Sequence, residues 1–268
     1  MLKIPHDYYI RFVDERVLNE TIDFHNKGTY TLHPTTDHCT RLHMLSDACL
    51  SKCTGNELAL YPDMELLLDR PSLQGLNTDD PLSRLKSADF FNEDVIEFEI
   101  IEQLFSGLLQ QNSISHHRGY PSGGALYPVE VFCCLLSTDR SAWPCDEHVL
   151  HLLPASRKFE RIGTTSSIFH LRKALLHTSN IGTPYCAIVY AAYLPKTLFK
   201  YRYRGYRLAA MEVGSMYAHL DLRAKELSLA SRVWAGYTDH MLSKALGLNP
   251  ALFPTFCVQF FGHKNESD

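Results

Sequence analysis

Residues 200–207, with the sequence KYRYRGYR, combine side chains that can move protons. The segment interleaves four cations with three tyrosines immediately before a long helical pattern. A lysine next to a tyrosine in a partly desolvated site can serve as a base or an acid. Lys200 and Tyr201 are therefore candidate catalytic residues.

The same segment has two other interpretations. Aromatic faces stack bases while arginines hold phosphates, so KYRYRGYR could form a strip that binds nucleic acid. The formal net charge of −4 leaves the rest of the chain without a wider positive field, which argues against a nucleic-acid partner. A solvated helix entry whose tyrosines pack inward is the remaining alternative.

A second segment of interest is RGYPSGGALYP, at residues 118–128. Ser122, Gly123 and Gly124 remove side-chain bulk and supply N–H donors, so this loop could approach a planar or anionic ligand closely. Arg118 would then be the charge partner. The alternative is a plain glycine-rich connection between a helix and a strand, since short glycine motifs are weak signals.

Possible metal ligands come close together in sequence at His38, Cys39, His43, Cys49 and Cys53. Their spacing fits no strong zinc pattern, so we interpret them as loop and helix residues and predict no metal site. The eight cysteines of the chain are scattered and do not form the dense framework of a small secreted domain. We expect reduced thiols.

The composition is that of an ordinary globular protein, with 45% hydrophobic and 21% charged residues in 268. This length allows one large domain with a substantial core. The first twenty or so residues carry charges throughout and lack the apolar run of a signal peptide or membrane span. We therefore expect a cytoplasmic protein without a membrane partner.

Hydrophobic patterning predicts the elements that position the two segments. A helix is predicted over 95–109 with Asp94 as its N-cap, and a strand buried on both faces over 129–136. A long helix is predicted over 206–229, where Gly214 would permit close packing. Further strands are predicted at 149–153, 187–193, 232–234 and 256–261, and further helices at 17–25 and 241–246, the latter capped by Asp239.

These elements make an α+β protein. No G-x-G-x-x-G follows a predicted strand, and neither G-x-x-x-x-G-K nor G-x-S-x-G occurs. The sequence therefore lacks the signatures of Rossmann, P-loop and α/β-hydrolase proteins.

The loop RGYPSGGALYP resembles the R-x-x-PSGGALYP loop of the SagB-type and McbC-type azoline dehydrogenases. Three further segments resemble the oxidase subunit of microcin synthetases: KYRYRGYR with the MEVGSMY that follows it, RVWAGYTD at 232–239 and QFFG at 259–262. The resemblance runs from about residue 96 to residue 262, more loosely through DFHNKG at 23–28, and poorly from roughly 30 to 85.

This resemblance implies a nitroreductase-like α+β fold, with a mixed or antiparallel central sheet flanked by helices. In such a fold FMN lies at a subunit interface without a Rossmann motif, which accounts for the missing signature. We expect residues 86–268 to form the flavin domain, and residues 1–85 to form a variable N-terminal region that contacts partners.

The resemblance also implies which residues bind the cofactor. The loop at 121–124 would line the flavin and Arg118 would help to hold it. Gly236 and Tyr237 would lie near the isoalloxazine N5 edge, and Arg84 and Lys86 are the best counterparts of a phosphate-binding motif. The full set implied is Arg84, Lys86, Arg118, Pro121, Ser122, Gly123, Gly124, Gly236 and Tyr237.

Lys200 and Tyr201 match the Lys-Tyr pair on which such oxidases rely. An azoline ring carries an acidic hydrogen alpha to a carbonyl, which a base removes, and a second hydrogen that flavin N5 takes as hydride; oxygen then reoxidises the flavin. The base could be Tyr201 as phenolate assisted by Lys200, or neutral Lys200 itself. Ala218 and His219 depart from the amide side chains that related sequences often have there.

The implied function is oxidation of peptide thiazolines and oxazolines to thiazoles and oxazoles during maturation of a microcin-like peptide. The implied partners are a precursor peptide, a cyclodehydratase and a leader-peptide-binding subunit, around a homodimeric core. Two alternatives stay open. One is an NAD(P)H-dependent nitroreductase or quinone reductase of the same fold, and the other is a cofactor-free structural subunit of a synthetase.

Overall fold

A computed structural model describes residues 8–29, 46, 48–49, 52, 82–112, 114–163, 167–176 and 180–264. The chain divides into one compact unit of residues 1–32 and 84–268 and another of residues 33–83. Every element below belongs to the first unit. His38, Cys39, His43 and Cys53 lie outside the described residues, while Cys49 is exposed and has a free thiol. The predicted domain boundary at residue 85 stays a prediction.

The described part of the first unit contains six helices and six strands. The helices are α1 Glu15–Asn26, α2 Phe98–Leu104, α3 Ile168–Leu176, α4 Pro195–Tyr201, α5 Arg204–Glu226 and α6 Asp239–Leu246. The strands are β1 Val129–Leu135, β2 Val149–Leu153, β3 Lys158–Arg161, β4 Cys186–Ala192, β5 Ala230–Trp234 and β6 Thr255–Gly262. Short 3-10 turns occur at Tyr9–Phe12, Phe105–Leu108 and Gly123–Ala125.

The six strands form one sheet in the order β3-β2-β1-β4-β6-β5, and all of its neighbouring strands are antiparallel. Val129 at the start of β1 is opposite Ala192 at the end of β4, and Ala191 is opposite Thr255 at the start of β6. Because neighbouring strands alternate in direction, the start of β1, the end of β4, the start of β6 and the end of β5 lie at the same end of the sheet. We call this the Gly124 end.

Both faces of the sheet are covered, because β1 and β4 are buried along nearly their whole length. On one face, side chains such as Val131 and Cys133 pack with residues of α2 and α5. On the other face, Phe132 and Cys134 pack with residues of α3 and α6. The prediction of buried strands from continuous apolar runs is thereby confirmed.

The helix predicted over 95–109 is shorter than expected. It begins at Phe98, and Asp94 does not cap it; the carboxylate of Asp94 instead accepts a hydrogen bond from Asn92 Nδ2 at 3.4 Å. Residues 92–97 have no regular secondary structure, and the side chain of Ile96 is buried in the core. Asp239 is likewise the first residue of α6 rather than its N-cap, which is Thr238.

Close packing against α5 depends on Gly107, not on Gly214 as predicted. A Cβ on Gly214 would meet nothing nearer than Tyr217 Cε1 at 4.0 Å, so this position has open space within the chain. A Cβ on Gly107 would instead overlap the imidazole ring of His219. Glycine at 107 therefore lets the turn after α2 approach α5 this closely without moving His219.

Three elements were not predicted: β3, α3 and α4. β3 is a four-residue edge strand whose side chains are mostly exposed, so it has little hydrophobic signature. α4 is short and begins with Pro195 in its first turn. No helix in the described part of the chain is both long enough and apolar enough to cross a membrane.

Candidate active site

Lys200 and Tyr201 occupy the last turn of α4, which follows β4 directly at the Gly124 end of the sheet. The Nζ atom of Lys200 lies over the Tyr201 ring, 5.1 Å from its centroid, within the range of a cation–π contact. Arg202 then ends the helix with a φ of +48°. The pair therefore lies at the point where the chain turns from α4 into α5.

The glycine turn before β1 lies against this pair. Gly124 has a φ of +64°, in the region that favours glycine. A Cβ on Gly124 would collide with the hydroxyl of Tyr201 and would lie 3.0 Å from Lys200 Nζ. The structure thus brings together the two segments that the sequence analysis selected for separate chemical reasons.

Two further residues of this turn have left-handed backbone conformations, Ala125 with φ +53° and Tyr127 with φ +50°. Such a conformation costs a residue other than glycine roughly 1–2 kcal/mol, so the surroundings must hold it. Ser122 contributes from within the turn: its Oγ accepts from the Tyr127 N–H at 2.9 Å, and its carbonyl accepts from the Ala125 N–H at 3.0 Å.

Glu212, from the first half of α5, reaches this turn from inside the protein. Its side chain is 2% exposed and accepts hydrogen bonds from Ser122 Oγ and from the Val129 N–H, the latter at 3.4 Å. Burial raises the pKa of Glu212 to about 7, although the two hydrogen bonds and the charges of Arg118 and Lys196 act in the opposite direction.

Lys196 holds the other side of the turn. It lies one helical turn before Lys200 on α4, and its Nζ donates to the Tyr127 carbonyl at 2.9 Å. Its Nζ also lies 3.9 Å from Glu130 Oε1. Burial lowers the pKa of Lys196, and the negative charge of Glu130 offsets part of that effect.

Arg118 packs against the turn with its guanidinium. The Cζ atom lies 4.3 Å from the centroid of the Tyr127 ring, and Nη1 donates to the Tyr120 hydroxyl at 2.7 Å. The backbone N–H of Arg118 donates to the Tyr127 hydroxyl at 3.1 Å. Tyr127 is therefore held at its amide, its carbonyl, its ring and its hydroxyl.

A chain of charges connects this region with the β3 edge of the sheet. His151 contacts Glu130 through Nε2 at 3.1 Å and Glu160 through Nδ1 at 3.0 Å. Burial alone would lower the pKa of His151, but the two carboxylates outweigh it and raise that pKa. Burial alone would raise the pKa of Glu130, but the hydrogen bond from His151 and the charge of Lys196 lower it.

Gly236 and Tyr237 follow β5 at the same end of the sheet. Three strand spacings, about 14 Å, separate β5 from β1. The Tyr237 ring is buried and its hydroxyl donates to the Thr255 carbonyl at 3.0 Å. Gly236 is exposed, and a Cβ there would lie 2.8 Å from the Trp234 ring. The Tyr237 side chain faces the interior, so this pair offers mainly its backbone to a ligand.

Arg84 and Lys86 lie at the opposite end of the sheet, beside the start of β5. Arg84 Nε donates to Asp221 at 2.8 Å and Lys86 Nζ to Asp89 at 2.5 Å. A cavity of about 550 Å³ lies here. Its charged lining consists of Lys86, Asp221, Lys225 and Lys264, with His263 beside them. The structure does not bring these residues close to Gly124.

The Gly124 turn and the distant cavity each offer a surface that suits a different part of a flavin nucleotide. The turn at Gly123 and Gly124 presents backbone without side chains, and the space that a Cβ of Gly124 would fill is bordered by Lys200 and Tyr201. The distant cavity carries more cationic than anionic side chains, which suits a phosphate. Within the described residues, no three His, Cys, Asp or Glu side chains converge on a metal site.

Glu212 belongs to the MEVGSMY motif, but the sequence predicted no role for it and none for Lys196. A signal for Glu212 was present, because the buried positions Ala209, Val213 and Met216 place residue 212 on the inward face of α5. A carboxylate on that face requires a buried partner. The identity of the partner, Ser122, is not encoded in any local pattern.

Comparison with known proteins finds similarity in both sequence and structure. No protein-family model matches the chain. Over 259 residues, covering 95% of this chain and 93% of the relative, it is 35% identical to the microcin B17-processing protein McbC of Escherichia coli. It also superposes with a TM-score of 0.86 and 34% identity on a chain of the E. coli microcin synthetase McbBCD complex with truncated pro-MccB17 bound, covering 98% of this chain and 99% of that one.

More distant relatives share the fold. A protein of Methanocaldococcus jannaschii assigned as a nitroreductase is 25% identical over 187 residues, 68% of this chain and 89% of the relative. A crystal structure from Ralstonia eutropha, also assigned as a nitroreductase, matches with a TM-score of 0.59 at 16% identity, covering 75% of this chain and 88% of that one. The predicted nitroreductase-like α+β fold is confirmed.

Proposed function

The chain belongs to the family of the microcin-processing protein McbC, and from this premise we propose that it is the flavin-dependent oxidase of a peptide-modifying synthetase. Its reaction converts thiazoline and oxazoline rings of a ribosomally made peptide into thiazoles and oxazoles. The observation that carries the site assignment is the contact between Gly124 and the Lys200–Tyr201 pair. This contact joins a ligand-binding surface to two side chains that can move protons.

The cofactor in this proposal is FMN. Bound FMN would supply the two-electron acceptor for the ring hydrogen that leaves as hydride, with oxygen as the final acceptor. The turn at 121–124 would line the ring system, the backbone at Gly236 and Tyr237 would border its N5 edge, and Arg118 would brace the turn. The cavity lined by Lys86, with Arg84 beside it, would hold the phosphate.

Lys200 and Tyr201 would remove the acidic ring hydrogen. Tyr201 Oη and Lys200 Nζ both lie beside Gly124, so either atom could reach a substrate ring held against a flavin on the turn. Lys200 is exposed and Tyr201 is half-buried, which lets the pair pass the proton on to solvent. Holding the substrate beside this pair would also fix which ring hydrogen is removed.

A homodimeric core is part of the proposal, because the turn and the cavity proposed to bind the two ends of FMN lie far apart within one chain. Gly124 and Lys86 are separated by three strand spacings, about 14 Å across the sheet, and by the length of the strands, about 20 Å along the sheet. That separation exceeds the length of an FMN molecule. A second copy would bring its own Gly124 turn to the phosphate cavity of the first.

The other proposed partners are a precursor peptide, a cyclodehydratase and a leader-peptide-binding subunit. The related structure is a synthetase complex with a truncated precursor bound, which supports a heteromeric assembly for this chain as well. We propose that residues 1–85 contribute contacts to those partners.

The test is spectroscopic and chemical. The purified protein, or the protein reconstituted with FMN, should show flavin absorption bands and release FMN on denaturation. It should then convert an azoline-containing peptide to the azole, detected by mass as the loss of two hydrogen atoms per ring. A protein that takes up no flavin under any of these conditions would contradict the proposal.

A second candidate function is an NAD(P)H-dependent nitroreductase, which the M. jannaschii relative favours. The two functions differ in the compound that reduces the bound flavin. Fast reduction of the bound flavin by NAD(P)H, without reduction by an azoline peptide, would support the nitroreductase. The opposite result would support the azoline oxidase.

A further inference from the structure

The turn from Ser122 to Tyr127 adopts a shape that its own sequence does not favour. Gly124, Ala125 and Tyr127 all have positive φ angles, and two of these three are not glycine. Residues outside the turn must therefore maintain it. Lys196 and Arg118 contribute to this at the carbonyl and the ring of Tyr127.

Glu212 is the carboxylate that acts on the turn from the buried side. One of its oxygens accepts from Ser122 Oγ at the beginning of the turn, and the other accepts from the Val129 N–H just beyond its end. The neighbouring carboxylate, Glu130, is engaged with His151 and Lys196 instead. Glu212 alone therefore bridges the two ends of the turn among the described carboxylates.

We propose that Glu212 is the positioning residue of this turn, and that through Ser122 and Val129 it holds Gly124 in the conformation that receives the flavin. The inference rests on the proposed function, in which the turn lines FMN. Glu212 touches neither the cofactor nor the substrate in this proposal. It acts through Ser122.

The hydrogen bonds of Ser122 make this role depend on the proton of Glu212. When Glu212 is ionised, Ser122 Oγ gives its hydrogen to the carboxylate and accepts from the Tyr127 N–H. When Glu212 is protonated, its own hydrogen can go to Ser122 Oγ, and the Ser122 hydroxyl hydrogen becomes available to a ligand on the turn. Titration of one buried carboxyl thus changes the donors that the turn presents.

Burial places this titration near neutral pH, since it raises the pKa of Glu212 to about 7. The other charged or titratable groups that interact with Glu212 are Arg118 and Tyr120, before the turn, and Lys196 on α4; Glu130 on β1 interacts in turn with Lys196. Of these, Arg118 and Lys196 favour the ionised form of Glu212.

The experiment compares Glu212→Gln and Glu212→Ala with the wild-type full-length protein. FMN affinity is measured by titrating the apoprotein at several pH values on both sides of neutrality. Glu212→Ala should weaken FMN binding about tenfold, since it removes both hydrogen bonds and leaves a buried gap. Glu212→Gln imitates the protonated acid, so its FMN affinity should be close to that of the wild type in acid and should not vary through neutrality.

A second measurement does not depend on flavin. Hydrogen exchange of the Tyr127 and Val129 amides in the ligand-free protein should be faster in Glu212→Ala than in the wild type. Glu226→Gln, at the exposed end of the same helix, is the matched control and should change neither measurement.

The outcomes separate the two proposals. A wild-type protein that binds no FMN would overturn the proposed function, while faster amide exchange in Glu212→Ala would still support the positioning role. Wild-type FMN affinity, wild-type pH dependence and unchanged amide exchange in both Glu212 variants would overturn the positioning role.

Discussion

Tyr201 closes on Gly124 so tightly that its hydroxyl occupies the space into which a Cβ at position 124 would project. The contact joins two segments that are separated by more than seventy residues in the sequence. It exists because β1 and β4 are neighbours in the sheet: the turn leads into β1, and α4 follows β4 at the same end. A residue larger than glycine at 124 would push Tyr201 and Lys200 away from the turn.

The first prediction follows from this contact. Gly124→Ala should lower the free energy of unfolding by roughly 1–2 kcal/mol, because its left-handed φ penalises a Cβ and the Cβ collides with Tyr201. FMN binding should weaken together with stability, as measured by urea unfolding and flavin titration. Gly163→Ala, at an exposed glycine with nothing within 4 Å of its Cβ position, is the control and should be neutral. Equal behaviour of the two variants would refute the steric explanation.

A second prediction concerns the two proton-moving side chains. Lys200→Ala and Tyr201→Phe should keep bound flavin but lose ring oxidation, because neither side chain is needed to shape the turn. The measurements are flavin content per chain and the rate of azole formation. Tyr203→Phe is a matched control, since the Tyr203 hydroxyl bonds Glu20 and lies outside the site. Loss of flavin from both Lys200 and Tyr201 variants would indicate a structural role for the pair.

The third prediction is a pH dependence of stability. The pKa of Glu212 is raised to about 7 in the fold, above its ordinary value of 4.5. Between these values the folded protein retains a proton that the unfolded chain has lost, so this group's contribution to stability is present in acid and falls as pH rises. The slope should approach about 1.4 kcal/mol per pH unit.

Glu212→Gln tests the third prediction directly. It should remove that slope and should make the protein more stable than the wild type at pH values above neutrality, as measured by urea unfolding across the pH range. A slope of the same size in Glu212→Gln would assign the effect to another group.

A fourth prediction tests whether two copies share each flavin site. Tyr201→Phe should be inactive because it lacks the proton-moving hydroxyl, and the double variant Lys86→Ala, Lys264→Ala should be impaired because it lacks phosphate-binding charge. If the two variants are co-expressed and pair at random, half of the dimers are mixed and each mixed dimer has one intact site. About a quarter of wild-type activity should then return. Failure to recover activity above that of the separate variants would argue for a site within one chain.

The sequence determined the buried strands well, because β1 and β4 are continuous apolar runs and such runs need cover on both faces. It also identified the glycine turn and the Lys200–Tyr201 pair, whose residue types limit their possible uses. Element ends were less predictable: α2 begins after Asp94 because burying Ile96 in the core outweighs the local capping signal.

Only the tertiary structure decided which residues meet. Hydrophobic periodicity predicts that a residue faces inward. The strand order determines which residue lies opposite it, and that order depends on packing of the whole sheet. The sequence pattern therefore indicates that Glu212 faces inward, but only the folded structure shows that its partner is Ser122. For the same reason Gly107, rather than Gly214, became the glycine against which α5 packs, since His219 fills the space where a side chain would otherwise lie.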